Sequence, residues 1–207
     1  MDMPRQKAQR ATSEERRDHL VRACLKCLVA DGHAGISVRR IAKEAGVAVG
    51  LVNHHFGSID ALVAQAYETL AGEVTRALHE QVDAAGDAPA ARMEAFLTGS
   101  FSPQVLDPDL LSPWVVFWSL IRHSPPVNDA HERGYQSYLT LLETLISDLA
   151  AAEGFKVARP RLAAIGLSAM LDGLWLEWCL NPATFSAADG LELSRCWVEG
   201  LRRGAYS

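Results

Sequence analysis

The chain has 207 residues, 49% hydrophobic and 22% charged, which is the profile of a folded globular protein. It contains no uninterrupted run of about 18 apolar residues, and no apolar stretch follows its basic N-terminus, so we expect neither a transmembrane helix nor a secretory signal. The net charge of −5 hides an asymmetry, because residues 1–56 carry ten Lys and Arg against six Asp and Glu whereas the remainder is acidic. This asymmetry predicts that only the N-terminal part meets a polyanion, with ordinary variation in surface charge as the alternative.

The first part of the chain predicts a basic arm followed by short helices. Residues 1–11 are polar, and Arg5, Lys7 and Arg10 are candidates to contact such a polyanion, with plain disorder as the alternative. Thr12-Ser13-Glu14-Glu15 has the form of a capping box and begins a first helix that ends at Gly32 and Gly35. A second helix starts after Ser37 as N-cap, a third covers about 48–55, and a fourth follows Gly57-Ser58.

The rest of the chain also follows helical periodicity. Helices are predicted near residues 90–101, 109–122, 127–152, 160–180 and 187–201, with prolines at their ends. We therefore predict an all-α fold that divides into an N-terminal three-helix domain, residues 1–57, and a larger helical domain, residues 58–207, whose aromatic and small-residue-rich segments are candidates for ligand binding and dimerisation.

Residues 37–56, "SVRRIAKEAGVAVGLVNHHF", have the spacing of a helix-turn-helix motif. Ala42 and Ala45 are small enough for two helices to pack closely, and Gly46 permits the positive φ that a sharp turn needs. Two packed helices without a DNA role are the alternative. The adjacent His54 and His55 do not predict a metal site, because neighbours on a helix diverge by about 100°.

The pattern I-A-x-x-A-G-V-x-x-G-x-x-x-x-H-F, followed by a long helix, resembles the N-terminal domain of the tetracycline-repressor (TetR) family. The resemblance implies an all-helical homodimer that binds a double-stranded operator. The chain has Ala48, Leu51, Asn53 and Ile59 where the family often has Ser or Thr, Thr, an aromatic residue and Lys. These departures leave the operator sequence open.

Roles on the DNA-binding surface follow from side-chain chemistry. Asn can bond adenine bidentately, and small apolar groups can touch thymine methyls, whereas hydroxyl and basic groups suit phosphates. The residues predicted to face base edges are Ala48, Val49, Asn53 and His54. The residues predicted to contact phosphates are Ser37, Arg39, Arg40 and His55.

Two aromatic segments predict a site for a small cation. "PWVVFW" places Trp114 and Trp118 on one helix face with Phe117 beside them, and "LDGLWLEW" places Asp172 and Trp175 on one face. Ring faces attract a quaternary ammonium and a carboxylate balances its charge. The alternatives are that the tryptophans are core residues and that Asp172 pairs with an Arg or with backbone amides.

These two segments also look like the ligand domain of choline-responsive repressors of glycine-betaine synthesis genes, a branch of the TetR family. The resemblance implies choline or a related quaternary amine as the inducer, held by Trp114, Phe117, Trp118, Asp172 and Trp175. A different small metabolite remains the alternative ligand.

The helices predicted at 160–180 and 187–201 are candidates for a dimer interface, since two from each chain can form a four-helix bundle. Two helix-turn-helix motifs roughly 34–36 Å apart would read both halves of a palindrome. Cys24-x-x-Cys27 lies in a helical pattern and is interpreted as core packing, and four cysteines in all fit a cytoplasmic protein with reduced thiols.

No Gly-rich phosphate loop, nucleophile elbow or HExxH pattern occurs, so the sequence predicts no enzyme, no cofactor and no metal. The prediction is a cytoplasmic repressor that a small molecule releases from its operator. The alternative from another class is a helical small-molecule-binding protein or enzyme that does not bind DNA.

Overall fold

The structure, a computed structural model, describes residues 13–205, and within this range the chain forms helices and no β-strand. The described α-helices are α1 (Ser13–Asp31), α2 (Val38–Glu44), α3 (Val49–Phe56), α4 (Ile59–Ala84), α5 (Pro89–Ser100), α6 (Leu111–Ile121), α7 (Pro125–Glu153), α8 (Pro160–Leu180) and α9 (Ala187–Arg202). The predicted all-α class is confirmed, and α5 to α9 each begin and end within two residues of their predicted bounds. The capping box at Thr12 and the arm with Arg5, Lys7 and Arg10 fall outside the described residues.

Helices α1, α2 and α3 form one small core because each contributes apolar side chains at helical spacing. The fully buried members of this core are Leu20, Cys24, Cys27, Leu28, Ile41 and Val52. Both cysteines carry free thiols, and burial raises the pKa of Cys24 to about 12, which agrees with a packing role. Ser37 caps α2 as predicted, since its Oγ accepts a hydrogen bond from the Arg40 backbone N–H at 3.1 Å. Gly46 makes the turn before α3 with a φ of +65°.

Two compact units are present. The first comprises the described part of Met1–Tyr67 together with Ser112–Asn128, so α6 belongs almost entirely to it. The second comprises Glu68–Leu111 and the described part of Asp129–Ser207. The functional division between residues 57 and 58 stays a prediction.

The second unit has its own hydrophobic core, to which α4, α5, α7, α8 and α9 contribute. Its largest fully buried side chains are Leu78, Phe96, Leu97, Leu142, Leu145, Ile146 and Leu149. Ion pairs join its helices at the surface, with Arg195 on Glu94 and Arg202 on Glu153. Pairs of this exposure are screened by solvent and contribute little, so the apolar core carries the stability of the unit.

Helix α8 is long and apolar enough, by length and composition, to cross a membrane, with a mean hydropathy of 1.3 over its most apolar window. A core helix of a soluble protein passes the same test. Here Ala163, Ala164, Leu167 and Leu171 are buried in the core of the second unit, whereas Leu162 and Ile165 on the same helix stay exposed.

Candidate functional site

Helix α3 turns one side to the core and the other to solvent. Val52 is fully buried, whereas Val49 is 44% exposed, and Asn53 and His54 are exposed with it. Ala48, also exposed, is the N-cap of α3 in extended conformation, so it lies one residue before the helix it was predicted to begin. The four side chains predicted to face bases therefore all lie on the solvent side of the motif.

Two side chains of α1 hold α3 and the turn before it in place. The Arg17 guanidinium donates to the carbonyl of His55 in the last turn of α3, and it lies 4.3 Å from the centroid of the Phe56 ring. His19 Nε2 lies 2.9 Å from the carbonyl oxygen of Ala45, and because a carbonyl only accepts, this nitrogen carries the proton. Sequence reasoning missed both, since contacts across 38 and 26 residues leave no local pattern.

The residues predicted to contact phosphates differ in exposure and in the bonds they already form within the protein. Arg39 is exposed, whereas Arg40 is held by carboxylates of Asp31 at 2.7 Å and Glu44 at 3.1 Å, and these bonds raise its pKa. Ser37 already accepts the capping hydrogen bond, although its hydroxyl can still donate. A phosphate contact by Arg40 would therefore compete with two ion pairs inside the domain.

His55 is only half-buried, but its Nε2 is buried and has no hydrogen-bond partner within residues 13–205. Burial, followed by the neighbouring His54, Arg16 and Arg17, lowers the pKa of His55. The imidazole is therefore biased toward its neutral form, and its predicted phosphate contact cannot use Nε2 in this conformation.

The aromatic residues of α6 form a cluster in the first unit. Phe117 is fully buried and its ring centroid lies 5.3 Å from that of Tyr67. Trp114 packs edge-on to Tyr67 at 5.6 Å and lies 6.4 Å from Trp118, which is 38% exposed. In this conformation Phe117 acts as a core residue, while Trp114 and Trp118 keep accessible ring surface.

Asp172, on α8 in the second unit, is a carboxylate without a cationic partner. Its only hydrogen bond in the described part of the chain comes from Ser168, whose Oγ lies 3.4 Å from Oδ2, and no described Lys or Arg forms an ion pair with it. Asp172 is exposed in its accessible surface, and partial desolvation by the groups around it raises the pKa of its carboxyl to about 6.

Trp175 follows Asp172 by one helical turn and is half-buried. Its Nε1–H donates to the carbonyl oxygen of Val105 at 3.0 Å, which fixes the indole against the segment before α6. The structure thus groups Asp172, Ser168 and Trp175 in the second unit and Trp114, Phe117 and Trp118 in the first. A single box formed by all five predicted ligand residues stays a prediction.

The chemistry of these groups is that of binding. Within residues 13–205, no group of three His, Cys, Asp or Glu side chains is placed to hold a metal ion. What the described residues offer is an exposed helix-turn-helix face and a carboxylate that no internal cation neutralises.

Models of known protein families match both parts of the chain. Residues 20–66 match the model of bacterial regulatory proteins of the TetR family, and residues 89–203 match the C-terminal domain of BetI-type transcriptional repressors. The HTH-type transcriptional regulator BetI of Burkholderia thailandensis is 31% identical over 190 residues, which cover 91% of this chain and 94% of that protein.

Solved structures share the fold. A transcriptional regulator from Pseudomonas aeruginosa PAO1 is 43% identical with a TM-score of 0.89, over 98% of both chains. A regulator from Saccharomonospora viridis, solved in complex with choline, has a TM-score of 0.73 over 90% of this chain and 96% of that one. At 20% identity, that second likeness concerns the fold alone.

Proposed function

We propose, given that this chain belongs to the TetR family of transcriptional regulators and carries a BetI-type C-terminal domain, that a small organic cation bound at Asp172 controls its affinity for operator DNA. The protein is a DNA-binding transcriptional repressor and not an enzyme. Regulators of this family bind operator DNA and small-molecule ligands. The proposal concerns which ligand this chain takes and which residues hold it.

The observation that carries the proposal is the uncompensated Asp172 carboxylate. A partly desolvated charge is costly unless a partner balances it, and no described Lys or Arg forms an ion pair with it. A bound cation would supply the missing charge, and Trp175 on the same helix face offers an aromatic surface next to it. Choline or a related quaternary amine fits these groups, and the BetI-type C-terminal domain favours the same class.

We assign DNA reading to the exposed side of α3. Ala48, Val49, Asn53 and His54 would face base edges, and Ser37, Arg39, Arg40 and His55 would lie nearer to phosphates. Of these, Arg39 is the better phosphate ligand, because Arg40 is engaged by two carboxylates.

We also propose a homodimer that works in the cytoplasm and binds a palindromic operator. Large apolar side chains remain exposed on α8 and α9, namely Leu162 and Ile165 at 39% and Leu193 at 49%. Pairing these helices with those of a second copy would remove this apolar surface from water. If light scattering at micromolar protein concentration gave the molar mass of a single chain, this assembly would be contradicted.

A thermal-shift experiment tests the ligand. Choline at 100 times its dissociation constant should stabilise the wild-type protein by about 2.7 kcal/mol. Asp172→Asn should abolish most of that shift, because the amide cannot balance a cation. Trp118→Ala tests whether the aromatic side chains of α6 contribute. A smaller choline-induced thermal shift in this variant than in the wild-type protein would assign the Trp118 ring to the ligand site.

The proposal fails if neither choline nor any other quaternary amine shifts the wild-type transition. A shift by an uncharged metabolite instead would support the alternative ligand class and leave the repressor role intact.

A further inference from the structure

A cavity opens beside the loop that joins α7 to α8, and the proposed function makes no use of it. Its volume is about 430 Å³, which lies within the range of small-molecule sites, and its whole wall belongs to the second unit. Apolar side chains form most of this wall, namely Ala150, Phe155, Val157, Ala158 and Pro160. The cavity therefore suits a hydrocarbon chain or a small ring.

A positive charge lies at the edge of this apolar wall. Lys156 lines the cavity and is exposed, and Arg159 is exposed three residues later. Neither side chain forms an ion pair within residues 13–205. Glu153, just before the loop, is already bound by Arg202 at 2.6 Å, and Asp148 does not line the cavity. The loop thus presents two cations that no described carboxylate neutralises.

The first turn of α8 adds partial positive charge beside Lys156. Pro160 begins the helix and lines the cavity, and the N-cap residue Arg159 makes no side-chain capping bond. In the part of the chain that the structure describes, the backbone N–H groups of Arg161 and Leu162 have no hydrogen-bond acceptor. Unpaired N–H groups of this kind favour an anion.

We propose that this cavity binds a small amphiphilic carboxylate, whose apolar tail lies against Phe155 and Val157 and whose carboxylate forms an ion pair with Lys156. The chain after residue 56 is acidic as a whole, so its general field does not attract anions and the cations of the loop must do so. Asp172 lies about 18 Å along α8 from Pro160, so this site is separate from the proposed cation site and does not depend on it.

Calorimetric titration of the full chain with octanoate tests the site. The comparison probes are acetate, which has the charge but no tail, and octanamide, which has the tail but no charge. The wild-type protein should bind octanoate at least about ten-fold more tightly than acetate, because the tail leaves water. It should bind octanoate about three-fold to five-fold more tightly than octanamide, because the carboxylate pairs with an exposed cation.

Two substitutions at exposed positions separate charge from space. Lys156→Gln should remove the preference for octanoate over octanamide and leave octanamide binding unchanged, whereas Lys26→Gln, at an exposed lysine of α1, should change neither. Ala158→Phe should fill the cavity and weaken both octanoate and octanamide about ten-fold. Thermal melting of each variant without ligand checks that it folds.

No octanoate binding by the wild-type protein would overturn the proposal. So would an octanoate affinity that Lys156→Gln leaves unchanged, or that Lys26→Gln lowers equally. If Ala158→Phe fails to fold, the Lys156→Gln result still decides the question. Asp172→Asn should bind octanoate as the wild-type protein does, so failure of this site leaves the cation proposal standing.

Discussion

At the scale of single residues, the central feature is the position of Asp172. Its carboxyl has a pKa of about 6 in the folded chain, above the ordinary value of 3.8, because burial disfavours the charged form more than the Ser168 hydrogen bond favours it. The folded state therefore binds this proton more tightly than the unfolded state. Between about pH 4 and pH 6, stability falls as pH rises, and above pH 6 the full cost of the charge is present.

Asp172→Asn removes this cost. The free energy of unfolding of the variant minus that of the wild-type protein should therefore be about 1 kcal/mol larger at pH 7.5 than at pH 4. This value is smaller than the full pKa shift implies, because the residue is exposed to solvent. Urea unfolding at both pH values measures it. Asp148→Asn, at an exposed position of α7, controls for the general effect of losing a negative charge. If the stability of Asp172→Asn relative to the wild-type protein changed with pH no more than that of Asp148→Asn does, the desolvation of the Asp172 carboxylate would be contradicted.

At the scale of the elements, close packing of α9 depends on a residue without a side chain. A Cβ built on Gly190 would lie 2.4 Å from Cε1 of Phe101, whereas one on Gly200, in the same helix, meets nothing closer than 3.8 Å. Gly190 is buried, and an aromatic ring in a packed core cannot yield by that distance without moving its neighbours. Gly190 therefore sets how closely α9 approaches the end of α5.

Gly190→Ala should destabilise the protein by about 1–3 kcal/mol through overpacking. Gly200→Ala is the matched control, and it should instead stabilise by about 0.5–1 kcal/mol through helix propensity. Chemical denaturation of both variants gives the comparison. If the two substitutions changed the free energy of unfolding by the same amount, the contact with Phe101 would not limit the packing of α9.

Local rules predicted most of the elements. Ser37 caps α2, Gly46 makes the turn, Val52 faces inward, and Pro160 begins α8, because each of these depends on near neighbours in the chain. Helix α7 begins two residues before its predicted start because Pro125 is compatible with the first turn of a helix.

Contacts between distant segments could not be predicted in the same way. Three such contacts join residues more than 30 positions apart: Arg17 with His55, Tyr67 with Phe117, and Trp175 with Val105. Hydrophobic periodicity indicates which face of a helix is buried, but it does not say which partner covers that face. For this reason the sequence predicts which residues of α3 face the core and which face solvent, but it does not predict the neighbours of Asp172.

At the scale of the whole molecule, the residues proposed to read DNA belong to the first unit and Asp172 to the second, while α4 contributes to both. A ligand in the second unit changes DNA binding only if it binds the DNA-competent conformation less tightly than another conformation. The proposed coupling is therefore a difference in cation affinity between two states, and it requires no contact between ligand and DNA.

The most direct test is the fluorescence anisotropy of a labelled fragment of the DNA upstream of the coding sequence, titrated with the full chain. Binding should prefer the operator sequence and should weaken with added salt. Asn53→Ala should reduce the difference in binding free energy between operator and random DNA by about 1–3 kcal/mol. Saturating choline should weaken operator binding by the wild-type protein at least about ten-fold, within the range typical of such coupling, and leave operator binding by Asp172→Asn unchanged. Operator affinity of the wild-type protein that is the same with and without saturating choline would contradict a cation-controlled repressor.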